Sequence, residues 1–198
     1  NNRFIGDLIF VYNDLIREAL IRSNIQGISQ EKIIVSGIPR MDKYYNMPKN
    51  NNNVITFFSF SIEDKSRHLN LTLKEFNQIK ILSDRYHLEI IKFAILNKEY
   101  KLTIKTKANN KYVDEIKKLI INNNINITPN IEITNKGQAH DLIKNSSIVI
   151  GFNSTTLQES LVADRKVICC DFRGTKIKDQ FASYENIIYY FDNYKKLD

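Results

Sequence analysis

Apolar residues in this chain come in short runs separated by longer amphipathic stretches, the pattern of strands joined by helices. Asp7-Leu8-Ile9-Phe10-Val11-Tyr12 predicts a first strand. Residues 13–24 predict a helix with Asn13 or Asp14 as its cap, Leu15, Ala19 and Leu20 on one face, and Gly27 as its terminator. Glu31-Lys32-Ile33-Ile34-Val35-Ser36-Gly37 predicts a second strand. Pro39 stops it by forcing Ile38 into extended geometry, which leaves Arg40 and Asp42 near the strand's carboxyl end. Residues 47–53 hold Pro48 and four consecutive asparagines, a run that favours turns and offers nothing to pack. A linker and a domain boundary are expected there, dividing residues 1–46 from 54–198.

Val54-Ile55-Thr56-Phe57-Phe58-Ser59-Phe60-Ser61 reads as a buried strand ending in hydroxyls, followed by a polar loop over 62–71. Helical periodicity then runs over 73–97 through Phe76, Ile79, Leu82, Ile90, Phe93 and Ala94, with a break expected near Tyr86 and His87. The remaining strands fall at 100–107, 131–134, 147–150, 166–171 and 187–191. Helices are predicted over 110–123 (Tyr112, Val113, Ile116, Leu119 and Ile120 inward), 137–145 and 155–163. Strands alternating with helices mean βαβ units, so the fold class is α/β: a Rossmann-like parallel sheet with helices on both faces. Such sheets bind ligands beyond the carboxyl ends of their strands, where Ser59, Lys105, Asn153 and Asp171 fall.

The most informative stretch is 147–161. A β-branched strand runs through a tight turn at Gly151 to Asn153 into a helix mouth carrying Ser154, Thr155 and Thr156. Thr155-x-x-Gln158 and Thr156-x-x-Glu159 both fit a capping box, so the helix start is signalled without its first residue being fixed. A helix N-terminus offers free N–H groups and the positive end of a dipole to an anion. The dipole contributes only about 0.3–1 kcal/mol to an exposed charge, so hydroxyls and other groups must help. The plainer reading is that these hydroxyls only cap the helix.

Composition narrows the partners. With 198 residues, 42% of them hydrophobic, the chain can bury one good core plus an appendage. It opens on Asn1-Asn2 rather than Met, and is expected to be a piece of a longer protein. The net charge of +7 is spread evenly, 14 basic residues against 11 acidic in the first hundred and 15 against 11 thereafter, so no nucleic-acid groove is expected. Cys169 and Cys170 are adjacent within an apolar run and read as buried thiols of a reducing cytoplasm. His68, His87 and His140 are isolated and no CxxC or HExxH occurs, so no metal is expected. No apolar run is long enough to span a membrane.

Two passages carry a family resemblance. Glu31-Lys32-Ile33-Ile34-Val35-Ser36-Gly37-Ile38-Pro39-Arg40-Met41-Asp42 resembles the eKIxVxGxPRxD passage of bacterial surface-polysaccharide glycosyltransferases, of the capsule and lipopolysaccharide kind, with two-Rossmann GT-B architecture. It is also similar to the same passage in CDP-glycerol glycerophosphotransferases. The run from Asp141 to Leu161 resembles the nucleotide-binding region of both groups. Asp164-Arg165-Lys166-Val167-Ile168 resembles their GKPVI element, with Asp164 where Gly is common and Val167 where Pro is common.

The resemblance implies that 54–198 is the C-terminal, donor-binding half of a GT-B fold and that 1–46 ends the N-terminal domain or the crossover to it. Ser154 and Thr155 would bond the donor's phosphates, with Thr156 and Asn153 beside them, and Glu159 would accept hydrogen bonds from ribose hydroxyls. Lys105 or Lys107 stands where relatives carry Lys-x-His-Pro, although here the text is Lys105-Thr106-Lys107-Ala108. Ser59 and Arg40 complete the donor-binding candidates. The implied reaction is metal-independent sugar transfer from a nucleotide-sugar, used as substrate with no cofactor, to a glycan or lipid-linked acceptor. Its place is the cytoplasm, at the inner face of the membrane by peripheral association. The catalytic base is unknown and belongs to the missing N-terminal domain, so this chain alone is expected to be inactive. Two alternatives stand beside a glycerophosphotransferase. One is a nonhydrolysing sugar-nucleotide 2-epimerase, whose Asp-Ser-Gly-Gly-x-Gln-Glu turn parallels residues 153–159. The other is a non-catalytic nucleotide-binding module.

Overall fold

The computed structural model describes residues 3–62, 70–177, 179, 181 and 187–191. Most of the loop expected over 62–71 lies outside the described residues. The chain divides into two compact units, Asn1–Tyr45 and Asn46–Asp198.

In the first unit β1 (Ile9–Val11) and β2 (Ile33–Val35) pair in parallel, Ile9 opposite Ile33, on either side of α1 (Asp14–Arg22). Asn13 caps the helix, its Oδ1 accepting from the Ile16 N–H at 3.0 Å. The helix ends at Arg22 rather than running to Gly27. The Ser23 N–H and hydroxyl both turn back to the Leu20 carbonyl and close the last turn. Gly27 serves the turn beyond, at φ +90°, where a Cβ would meet the Phe4 carbonyl oxygen at 2.2 Å. The inward face expected of α1 is not buried: no residue of the helix is, and Leu15 is 76% exposed. Two short strands are too narrow to cover an amphipathic helix. After Ile38, extended at φ −114° as expected, the chain enters a short 3-10 helix, Pro39–Tyr44.

The second unit follows the order β3 (Val54–Phe58), α2 (Leu73–Leu96), β4 (Lys101–Lys105), α3 (Asn110–Asn122), β5 (Ile131–Thr134). It continues with α4 (Ala139–Asn145), β6 (Ile148–Gly151), α5 (Thr155–Val162), β7 (Lys166–Cys170) and β8 (Tyr189–Phe191). Among the described residues its sheet has six strands, all parallel, in the order β5-β4-β3-β6-β7-β8. Counted from β3 this is 3-2-1-4-5-6, the Rossmann order. The fold class is therefore the expected one.

The strands are apolar on both sides because helices cover both faces. Ile55, Phe57, Leu102, Ile104, Val149 and Cys169 are almost fully buried. Buried Thr56 is no exception to the rule that buried polar groups are paired. Its hydroxyl lies 2.7 Å from Ser146 Oγ, and Ser146 spends its own proton on the Leu142 carbonyl, so Thr56 donates. Cys169 and Cys170 are buried free thiols.

Two details depart from the sequence reading. Helix α2 is unbroken at Tyr86 and His87, which lie buried on the same inward stripe as Ile79, Ser83 and Ile90. The asparagine run also packs more than expected. Asn50 Nδ2 donates to the Lys144 carbonyl and Asn52 Nδ2 to the Asn145 carbonyl, pinning the run to the end of α4.

Candidate functional site

Successive strands step one way from β3 to β5 and the other way from β6 to β8, so the topology reverses between β3 and β6. A parallel sheet opens a crevice at such a reversal, beyond the strands' carboxyl ends. The floor of that region is aromatic. Phe60 lies 5.5 Å from Phe152 and 5.7 Å from Phe172 between ring centroids, Phe152 and Phe172 are 4.4 Å apart, and Tyr86 packs edge-on against Phe172 at 5.3 Å. Rings in such contact hold the β3 and β6 tips at fixed spacing.

On the β6 side, Gly151 ends the strand and buried Phe152 anchors the turn. Asn153 then takes the left-handed conformation at φ 44°, which Asn tolerates better than most residues. Ser154 is the N-cap of α5, so neither capping box predicted from Thr155 or Thr156 forms. The Ser154 hydroxyl oxygen accepts from the Thr156 N–H at 3.3 Å and lies 2.8 Å from Thr156 Oγ1. Asn153 and one extended residue already turn the chain, which places the cap one position earlier than the box spacing requires. Thr155 is exposed at the tip, while Ser154 and Thr156 are half-buried. Glu159, one turn further in, is 9% exposed.

On the β3 side, the Ser59 N–H donates to the Lys105 carbonyl, extending the ladder by one bond. The Ser59 hydroxyl lies 2.9 Å from His87 Nε2. His87 Nδ1 is 2.7 Å from the Ser83 carbonyl, which can only accept, so Nδ1 carries the ring proton and Nε2 is the acceptor. Burial, packed against Phe57 and Phe60, pushes the imidazole pKa below its ordinary value and keeps the ring neutral. Ser59 therefore donates to His87. Nothing in the sequence paired these residues, because the helix was expected to break at His87. The sign available was that His87 stands four residues after Ser83 and three before Ile90 on one helix face.

Of the remaining candidates, Lys105 and Asp171 stand at the carboxyl ends of β4 and β7, and Arg40 belongs to the first unit. The half-buried Lys105 ammonium turns along the β4 and β5 tips, donating to the Thr106 carbonyl at 2.6 Å and the Asn135 carbonyl at 3.1 Å, and partial burial lowers its pKa. Asp171, beyond β7, holds the Arg173 guanidinium through both carboxylate oxygens at 2.9 Å. Arg40 is exposed in the first unit's 3-10 helix. Among the described residues no three His, Cys, Asp or Glu side chains converge as metal ligands would.

This geometry has counterparts. The chain is similar in structure to UDP-GlcNAc 2-epimerase from Neisseria meningitidis bound to UDP-GlcNAc, with a TM-score of 0.54 and 13% identity over 93% of this chain and 48% of that one. It is similar also to S. aureus MnaA in its UDP co-structure, at 0.56 and 14% identity over 93% and 46%. The beta Kdo 2,7 transferase KpsC of Thermosulfurimonas dismutans matches at 0.44 and 12% identity over 93% and 49%, a score too low to bear on the fold. No protein-family model and no curated protein matches the sequence. The chain spans just under half the length of the first two of these proteins. The Rossmann-like, GT-B-type C-terminal fold expected from the sequence stands.

Proposed function

We propose that the chain binds a nucleotide-sugar and is the donor-binding half of a glycosyltransferase that passes the sugar to a surface glycan or lipid-linked acceptor. The observation that carries this reading is the hydroxyl-bearing N-terminus of α5 at the reversal between β3 and β6. Two negative phosphates are best met there by the N–H groups of the first turn, the Ser154 and Thr155 hydroxyls and the helix dipole. Thr156 holds Ser154 in place. Glu159 accepts from ribose hydroxyls, a charged bond contributing about 1.5–3 kcal/mol. The Lys105 ammonium has one proton beyond the two given to carbonyls, and its field favours an anion at the rim. Acceptor binding and the catalytic base belong to a further N-terminal domain. No described helix is long and apolar enough to cross a membrane. The cytoplasmic location, with peripheral attachment to the membrane's inner face, is part of the same proposal.

A second reading, a sugar-nucleotide 2-epimerase, is supported by the turn of residues 153–159, which parallels the epimerase Asp-Ser-Gly-Gly-x-Gln-Glu. Thr155 and Thr156 replace its two glycines.

Thermal-shift measurement with UDP, GDP, CDP and CMP tests nucleotide binding. One nucleotide should raise the midpoint, and a Ser154→Ala, Glu159→Ala double variant should lose the rise. No response to any of the four, or an unchanged response in the variant, overturns the reading.

A further inference from the structure

A cavity of about 300 Å³ opens between the carboxyl tips of β3 and β4 and the facing sides of α2 and α3. At the low end of the size range of ligand pockets, it fits one ring rather than a whole nucleotide-sugar. Its apolar lining comes from Phe60, Ile62, Ile116 and Leu119, and its polar groups include Ser59, Asp84, Tyr112, Glu115, Lys118 and Asn122. Lys80, Lys107 and Lys118 set against Asp84 and Glu115 bring the lining close to charge balance. Acceptors and donors set around an apolar floor suit a neutral, polyhydroxylated ring.

The Ser59–His87 bond sharpens this. The Ser83 carbonyl fixes the imidazole tautomer, and the imidazole takes the Ser59 proton. What Ser59 can offer a ligand is lone pairs. A phosphate oxygen gains nothing from them, whereas a sugar hydroxyl can donate to them. Ser59 is thus separated in role from the α5 tip, where N–H groups face outward as donors. The crevice has a donor side at β6 and an acceptor side at β3.

From this geometry we infer that the cavity beside Ser59 is a subsite for a single neutral sugar ring, read through its hydroxyls by the Ser59 oxygen held by His87. The inference rests on the nucleotide-sugar reading for the source of the ring and goes beyond it in assigning the cavity and the polarity of Ser59. The groups bearing charge around the imidazole are Lys80 and Asp84 on its own helix, ion-paired at 2.9 Å, with Lys107 of the β4 tip and Glu115 and Lys118 of α3 lining the same cavity.

The test is calorimetric titration of the full chain with UDP, UDP-GlcNAc and free N-acetylglucosamine, repeated on Ser59→Ala and on Glu115→Gln, an exposed rim change that cannot unfold the core. The expected result is UDP-GlcNAc binding at least tenfold tighter than UDP. Both variants should lose most of that advantage while UDP affinity stays within twofold. If UDP does not bind but the free sugar does, and does so less well in both variants, the subsite stands with an acceptor sugar as occupant and the donor reading falls. A UDP-GlcNAc advantage that survives both substitutions overturns the subsite. So does the absence of any sugar-dependent binding.

Discussion

Arg165 Nη1 donates to the Pro48 carbonyl at 3.0 Å, joining β7's entry to a segment 117 residues earlier. The same guanidinium donates through Nε to the Ile143 carbonyl and through Nη2 to the Lys144 carbonyl, and the residue is 5% exposed. One planar fork thus gathers the start of the second unit, the end of α4 and the start of β7.

Arg165→Ala should therefore cost about 3 kcal/mol of unfolding free energy, since it removes three charge-assisted bonds from part-buried carbonyls. Arg165→Lys should recover only part of the loss, because an ammonium cannot span the same fork. Urea unfolding of the three proteins checks this. A loss under 1 kcal/mol for the alanine variant would show that water replaces the guanidinium without penalty.

Asp164, the neighbour of Arg165, adopts φ 55°. A side chain in the left-handed region is strained by about 1 kcal/mol. Its ion pair to Lys49, 3.0 Å between two exposed groups, returns little. Asp164→Gly should raise the midpoint of unfolding by a few degrees, as measured by calorimetry. A fall would show that the Lys49 pair outweighs the strain.

Stability should depend on pH in two separate windows. His87 is buried neutral with a lowered pKa, so the unfolded chain binds a proton that the folded chain refuses. Stability is then full above the ordinary value of 6.5 and falls as pH drops below it, by at most about 1.4 kcal/mol per unit. Glu75, whose pKa the Thr72 hydroxyl and N–H and Lys176 depress to about 2, acts lower down. Its contribution is present above 4.5 and lost as pH falls toward 2. His87→Asn should flatten the curve between pH 5 and 6.5 and leave the Glu75 window intact, by denaturant titration across pH. An unchanged slope in that upper window would place its origin elsewhere.

Cys169 is fully buried, and burial beside Asp179 raises its thiol pKa far above the usual range. Cys170 is equally buried. Neither should react with a thiol reagent in the folded protein, and both should react on unfolding. Mass spectrometry after brief exposure to iodoacetamide checks it. Rapid labelling of either cysteine would mean that β7 opens readily.

Much of this architecture was legible beforehand because buried parallel strands are continuous apolar runs. Val54 to Phe58 and Lys166 to Cys170 show this, bounded as they are by polar turns. Three features were hidden, each for a physical reason. The cap of α5 depends on the left-handed Asn153, which composition does not announce. The continuity of α2 depends on Tyr86 and His87 being buried by partners far off in sequence, Phe172 and Ser59 among them. The exposed face of α1 depends on how much sheet its own unit provides, which periodicity cannot report. At the site, the residues at the strand ends were readable from topology. The direction of the Ser59 proton was not, because it is set by a carbonyl one helical turn away from the imidazole.

The most direct measurement is an NMR titration of the isotope-labelled chain with the nucleotide that gives the thermal shift. Binding at the β3–β6 reversal predicts the largest amide shifts at Asn153 through Thr156, with small changes at the amino ends of the strands. Shifts concentrated around Lys49, Asn52 and Lys166 at that opposite edge, or none near Ser154, would contradict it.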